Sequence, residues 1–220
     1  MHRASDRRVI TFFALVAASG LCGALLLYRS YETHTLDYRF LVWNLVLAWV
    51  PFVAALALYD AQRRRLPGIV LVALGVTWLL FLPNAPYIVT DLLHVGRIAG
   101  APIWFDSLLV SSFAATGLLL GFGSLLLVQT VVTRAAGAVW GWLMLVPALG
   151  LCAVGIVLGR VFRFNSWDAL VRPDALLRTI AEEGTDPSSL ASGLAMVAAL
   201  TLSLAVGYFV LYAFARPDTD

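Results

Sequence analysis

The chain has 220 residues, of which 61% are hydrophobic and only 13% charged, with a formal net charge of +2 and a mean hydropathy of +0.88. Soluble domains carry about 45–50% apolar and about 25% charged residues. The balance therefore argues against a water-soluble enzyme, a disordered chain or a nucleic-acid-binding module, and for an integral membrane protein.

A helix needs about 20 apolar residues, at 1.5 Å each, to cross a hydrocarbon core of about 30 Å. Six stretches meet or approach that length: 9–28, 40–59, 67–82, 107–133, 139–158 and 189–215. The expected fold is all-α, a six-span bundle forming one membrane domain over 1–220. The first stretch follows Arg3, Arg7 and Arg8 as in a signal peptide, but it is too long for an h-region and no A-x-A site follows, so an uncleaved span is expected. Cys22 and Cys152 fall in mid-span and read as small packing residues rather than a disulfide. The third stretch is short, and Arg64 and Arg65 can snorkel outward to extend it. Tyr28, Trp43, Tyr59, Trp140 and Tyr212 stand near span ends, where aromatic belts form. No charged residue lies within any of these runs, which argues against a proton- or sodium-coupled relay.

All fifteen basic residues are arginine. Eight flank the spans on the side of the termini and seven on the other, four of those in the fifth loop (Arg160, Arg163, Arg172 and Arg178). Setting that unusual loop aside, the positive-inside rule puts both termini in the cytoplasm. Nine of the thirteen acids then face the opposite side, in the first, third and fifth loops.

The third loop reads PNAPYIVTDLLH over 83–94. As a helix it would place Asn84, Tyr87, Asp91 and His94 within an arc of about 80°. At about 11 residues it is too short to cross, so an interfacial or re-entrant helix is expected. Trp104-Phe105-Asp106 adds an acid at the same level. The fifth loop opens GRVFRFNSWD over 159–168, where Asn165 or Ser166 could cap a helix at Asp168, and 174–183 has the pattern of a short amphipathic helix stopped by Gly184.

The strings at 39–52 (RFLVWNLVLAWVPF), 81–94 (FLPNAPYIVTDLLH), 104–106 and 159–168 closely resemble an uncharacterised bacterial family of multi-pass membrane proteins, domain-of-unknown-function family 1361. The resemblance implies membership and membrane location, and the bacterial cytoplasmic membrane is the expected one. It implies no activity, substrate or cofactor.

The residues themselves suggest a polar site on the extracytoplasmic face, made of Asn84, Tyr87, Asp91, His94, Asp106, Arg160, Arg163, Asn165 and Asp168. Asp91 and His94, three apart on a helix, would act as acid and base, and the arginines would hold an anionic lipid or headgroup. The structural alternative is that Asp91 and His94 fasten the loop helix and that the arginines pair with Asp91, Asp106 or Asp168. No HExxH, CxxC or histidine cluster points to a metal, and no P-loop, GxSxG or dinucleotide fingerprint points to a cofactor. Asn44 reads as an interhelical hydrogen-bonding group. Two further classes remain open: a small permease hinged at Pro51 and Pro147 of the second and fifth spans, and an assembly subunit that docks a protein partner.

Overall fold

The computed structural model describes residues 2–96, 98, 100–164, 168–183 and 187–215. Arg97, Asn165, Ser166, Trp167 and residues 184–186 lie outside the described residues. Within them the chain is all-α, with no strand. The helices are α1 (His2–Thr33), α2 (Phe40–Arg63), α3 (Gly68–Phe81), α4 (Asn84–Tyr87), the 3₁₀ segment η1 (Ile88–His94), α5 (Ile103–Ala136), α6 (Ala138–Leu143), α7 (Leu145–Val161), α8 (Asp168–Val171), α9 (Pro173–Glu183) and α10 (Pro187–Ala215). Six stretches are long and apolar enough to cross a membrane: Val9–Thr33, Phe40–Arg63, Gly68–His94, Ile103–Ala136, Ala138–Val161 and Leu190–Ala215. The protein is a multi-pass membrane protein.

The 34-residue α5 is the central element, packed against α1, α2, α4, η1 and α6, while α10 lies mainly on α7. Leucines such as Leu41, Leu109 and Leu120 fill the core between α1, α2 and α5. Leu82, Leu125 and Leu149, with Tyr208, fill the core between α3, α5, α7 and α10. Helices in lipid gain little from burying leucine against leucine, so polar bonds between spans add specificity. Trp49 Nε1 donates to Ser19 Oγ at 3.1 Å, and Trp78 Nε1 to Ser124 Oγ at 3.1 Å. Tyr208 donates to Gln129 Oε1 in a short bond.

Two expectations about the spans are corrected. The first helix does not stop at residue 28 but continues to Thr33, carrying Arg29 into the protein interior. The short helix expected beyond residue 82 is not set apart from the third apolar stretch. α3, α4 and η1 follow one another along the bundle from Gly68 to His94. The His94 ring packs tilted against Phe40 at the start of α2, Asp91 meets Asn44 one turn further along, and Ala85 reaches Gly117 and Gly121 near the middle of α5. Residues 83–94 thus continue the third apolar stretch as its second half.

The reason is steric. Pro83 and Pro86 interrupt the α-ladder, and the disrupted backbone must be buried in protein if it is to lie at membrane depth. Glycines admit it. A Cβ on Gly117 would lie 2.5 Å from the Ala85 carbonyl oxygen, and one on Gly155 would lie 2.5 Å from Pro83 Cγ. The two mid-span prolines behave differently from one another. α2 runs unbroken through Pro51, whereas the fifth span divides at Met144 into α6 and α7, three residues before Pro147. The matched pair of broken helices expected of a permease is absent, because only one of the two helices breaks.

Candidate functional site

The broken third span opens a cavity. With α3 ending at Phe81 and η1 leaning on α2 and α5, a gap of about 720 Å³ is left between α2, the third span and α7. That volume lies within the range of about 300–1,000 Å³ typical of small-molecule sites. Its inner part is apolar, with Leu47, Val76, Leu79, Leu80, Leu151 and Val154 as walls. Trp43, Val76 and Leu151 are more than half exposed, so the cavity is open along its side. From Leu151 to Arg160 it follows α7 for about 14 Å, about half of a hydrocarbon core.

One end is polar, lined by Asn44, Tyr87, Asp91, His94, Arg160 and Arg163, and Asn84 lines the cavity deeper in, beside Pro83. The alignment on η1 differs from the expected one. At three residues per turn, positions i and i+3 eclipse, so Asp91 and His94 stand one above the other. Asp91 is 2% exposed and is held by the amide of Asn44, whose Nδ2 donates to Oδ2 at 2.7 Å. Arg160 Nη1 stands 3.6 Å from Asp91 Oδ1, in ion-pair range but too far for a good hydrogen bond. His94 Nδ1 lies 3.8 Å from the same oxygen and 3.3 Å from the Asp91 carbonyl. The expected contact between an arginine of the fifth loop and an acid of the third loop is therefore present, as Arg160 with Asp91.

Arg160 keeps 21% of its side chain exposed and His94 33%. Both remain accessible from the cavity while their carboxylate partner does not. Arg163 is exposed, and among the described residues it pairs with no carboxylate. Its φ of +58° is left-handed, a conformation that costs a non-glycine residue about 1–2 kcal/mol. The Phe164 N–H turns back onto the Leu158 carbonyl at 3.2 Å and closes this end of α7.

Two candidate residues stand elsewhere. Asp106 is consumed by Arg29: Arg29 Nε donates to Oδ1 at 2.7 Å and Nη2 to Oδ2 at 3.3 Å, both residues being 1% exposed. Tyr38 packs its ring 4.5 Å from the Arg29 guanidinium and shares its hydroxyl between Asp106 Oδ2 and the His94 carbonyl, each at 3.4 Å. Burial, followed by the charge of Asp106, pushes the Tyr38 phenol above its ordinary value, so it acts as a donor. Asp168 is buried at the start of α8, where Arg172 Nη2 donates to it at 2.9 Å, and it does not line the cavity. Asn165 lies outside the described residues.

Other participants were not expected. Asn44 is an interhelical hydrogen-bonding group, as read from the sequence, but it also lines the cavity and fixes the site's carboxylate. Phe40, Trp43 and the leucine walls carried no signal, since a leucine facing a groove and one facing lipid look alike in sequence. Among the described residues, no three His, Cys, Asp or Glu side chains gather as a metal site would require.

Residues 43–206 match the family described as Protein of unknown function (DUF1361). The chain belongs to that family. The DUF1361 region contains every cavity-lining residue except Phe40, whereas Arg29 and Tyr38 of the neighbouring buried cluster precede it. No curated protein and no solved structure matches the chain.

Proposed function

We propose that the cavity binds an amphiphile with an anionic headgroup, with its phosphate or carboxylate on Arg160 and Arg163 and its apolar chain along Leu151, Leu79 and Leu47. The observation that carries this reading is one cavity, apolar along about 14 Å and open at the side, that ends at two accessible arginines. Arg160 is only loosely engaged by Asp91, so its planar N–H fork is available to a bidentate anion. The left-handed backbone of Arg163 supports the same reading, since strain is retained where a site uses it. Asp91 and His94 would serve as acid and base at a headgroup seated on Arg160, with Asp91 orienting the imidazole and His94 exchanging the proton.

The same reading puts the cavity mouth on the extracytoplasmic side of a bacterial cytoplasmic membrane. The arginine balance and the resemblance noted above support it. Single cysteines in place of Arg65 and Leu177 should then label from the cytoplasmic and the outer side respectively; the reverse pattern would invert the proposal.

Binding is tested on the full chain in lipid nanodiscs, counting retained lipids by native mass spectrometry with an acidic phospholipid as probe and inorganic phosphate as competitor. Arg160→Gln with Arg163→Gln should weaken retention at the cavity at least about tenfold, the loss of its charge-assisted contacts. Competition by phosphate alone would mark a free anion as the ligand. Unchanged retention in the double variant would sink the proposal.

A further inference from the structure

The end of the bundle opposite the cavity mouth holds a second set of arginines. Arg63 occupies the last turn of α2 and Arg134 the last turn of α5, where helix C-termini favour cations. Arg64 then caps α2, and Arg65, with φ +54°, reverses the chain toward α3. The two helix ends are locked together by Gln62, whose Nε2 donates to the Val131 carbonyl at 2.7 Å.

Beneath them lies Tyr59, buried against α5. The Arg134 guanidinium carbon stands 4.7 Å from the Tyr59 ring centroid and that of Arg63 stands 5.9 Å from it. Two cations thus converge on one ring. All four arginines are exposed, and among the described residues none pairs with a carboxylate, although Asp60 lies within the same turn. A guanidinium packed on an aromatic face loses hydration from that face while its N–H edge remains free, an arrangement suited to bidentate phosphate recognition. The cluster also stands at the limits of two membrane spans, Phe40–Arg63 and Ile103–Ala136. Exposed Val139 and Trp140 of α6 follow Arg134 and offer apolar surface beside it.

We propose that Arg63 and Arg134, seated on Tyr59, form a binding site for the phosphodiester headgroup of an acidic phospholipid in the adjacent leaflet. Charge complementarity supplies the attraction, and the Tyr59 platform turns a diffuse positive surface into a located site. Arg64 and Arg65, which have no aromatic seat, contribute only screened attraction. The site is independent of the cavity, from which it is separated by most of the length of α2.

The test uses the full chain in nanodiscs of zwitterionic phospholipid containing a minor fraction of acidic phospholipid, with retained lipids counted by native mass spectrometry at low and high salt. The parent protein should retain acidic lipid in both. In the Arg160→Gln with Arg163→Gln background, where the cavity no longer holds lipid, Arg63→Gln with Arg134→Gln should reduce the remaining retention at least about tenfold, the loss of charge-assisted bonds. Arg64→Gln with Arg65→Gln should leave it within about twofold at high salt, where unlocated charge is screened. These arginines are exposed, so the variants fold, and Arg160→Gln with Arg163→Gln separates this site from the cavity. Equal loss in the Arg63/Arg134 and Arg64/Arg65 pairs would mean diffuse attraction only, and unchanged retention in Arg63→Gln with Arg134→Gln would mean no site; either result overturns the proposal. Displacement of the retained lipid by inorganic phosphate alone would overturn its lipid specificity.

Discussion

Arg29 and Asp106 meet at 2.7 Å between α1 and α5, with almost no access to solvent. A lone charge at that depth would be very costly, and the bond is tolerated because it is one of several. Asp106 also receives the Tyr38 hydroxyl, and Arg29 Nη1 reaches Thr35 Oγ1 at 3.4 Å. The network joins the first span to the bundle, which that helix otherwise touches mainly through apolar contacts. Because Tyr38 also reaches the His94 carbonyl, the network supports the polar end of the cavity from behind.

Removing one member of this pair should be severe. Arg29→Met or Asp106→Leu alone leaves an unpaired buried charge and should cost about 3–5 kcal/mol. Replacing both should recover most of that loss, since apolar residues can fill a buried ion pair's space at little cost. Denaturation of the three variants in detergent micelles checks this. A double variant no more stable than the singles would show that the pair is not the coupled unit.

A second prediction concerns the seat of the broken third span. Gly155→Ala would bring a methyl against the Pro83 ring, and Gly117→Ala one against the Ala85 carbonyl and Ile88 Cδ1. The Pro83 ring and the Ala85 carbonyl cannot swing aside as the Ile88 tip could, so each change should destabilise by about 1–3 kcal/mol. Gly20→Ala and Gly75→Ala meet nothing within 4 Å and should remain within about 1 kcal/mol of the parent. Thermal unfolding of the four proteins decides it. Equal effects at all four would remove the packing argument.

The six spans were legible because a run of apolar residues has few other uses at this length. Arg29 was misplaced for the same reason: a hydropathy window ends at the first charge, whereas the helix ends where its backbone bonds end. Asp106 shared a side of the membrane with Asp91, and the sequence offered no means of learning that its partner was an arginine of the first helix. The stripe of Asn84, Tyr87, Asp91 and His94 was found with the wrong geometry. An α-helix and an α-turn followed by 3₁₀ both return to one face every three to four residues, so the residues converge in either case. The depth of that stripe could not be read, because it depends on glycines 32 or more positions away in α5 and α7.

The pH response of the buried network has a defined sign. The Tyr38 phenol is raised above its unfolded value, chiefly by burial and then by Asp106. The folded state therefore holds its proton more tightly than the unfolded chain. This contribution to stability is fully present below about pH 10, the ordinary tyrosine value, and is lost as pH rises through the higher folded value. Above about pH 10 the parent should lose melting temperature more steeply than Tyr38→Phe. Parallel curves would show that Tyr38 does not titrate against Asp106.

The final prediction separates support from function at the polar end of the cavity. Asn44 makes a direct hydrogen bond to a buried carboxylate, so Asn44→Leu should cost about 1.5–3 kcal/mol, the range for bonds to charged groups. His94 is a third exposed and stands 3.8 Å from Asp91, so His94→Asn should cost no more than about 1 kcal/mol. The functional effects should run the other way. His94→Asn removes the one ring nitrogen placed to exchange a proton at the headgroup, and should abolish turnover of a bound amphiphile in a protein of nearly unchanged stability. Asn44→Leu should retain some turnover in the fraction that remains folded. Should His94→Asn instead melt as early as Asn44→Leu, with lipid retention equal to the parent's, the imidazole is a fastening of the third span and the acid–base role is wrong.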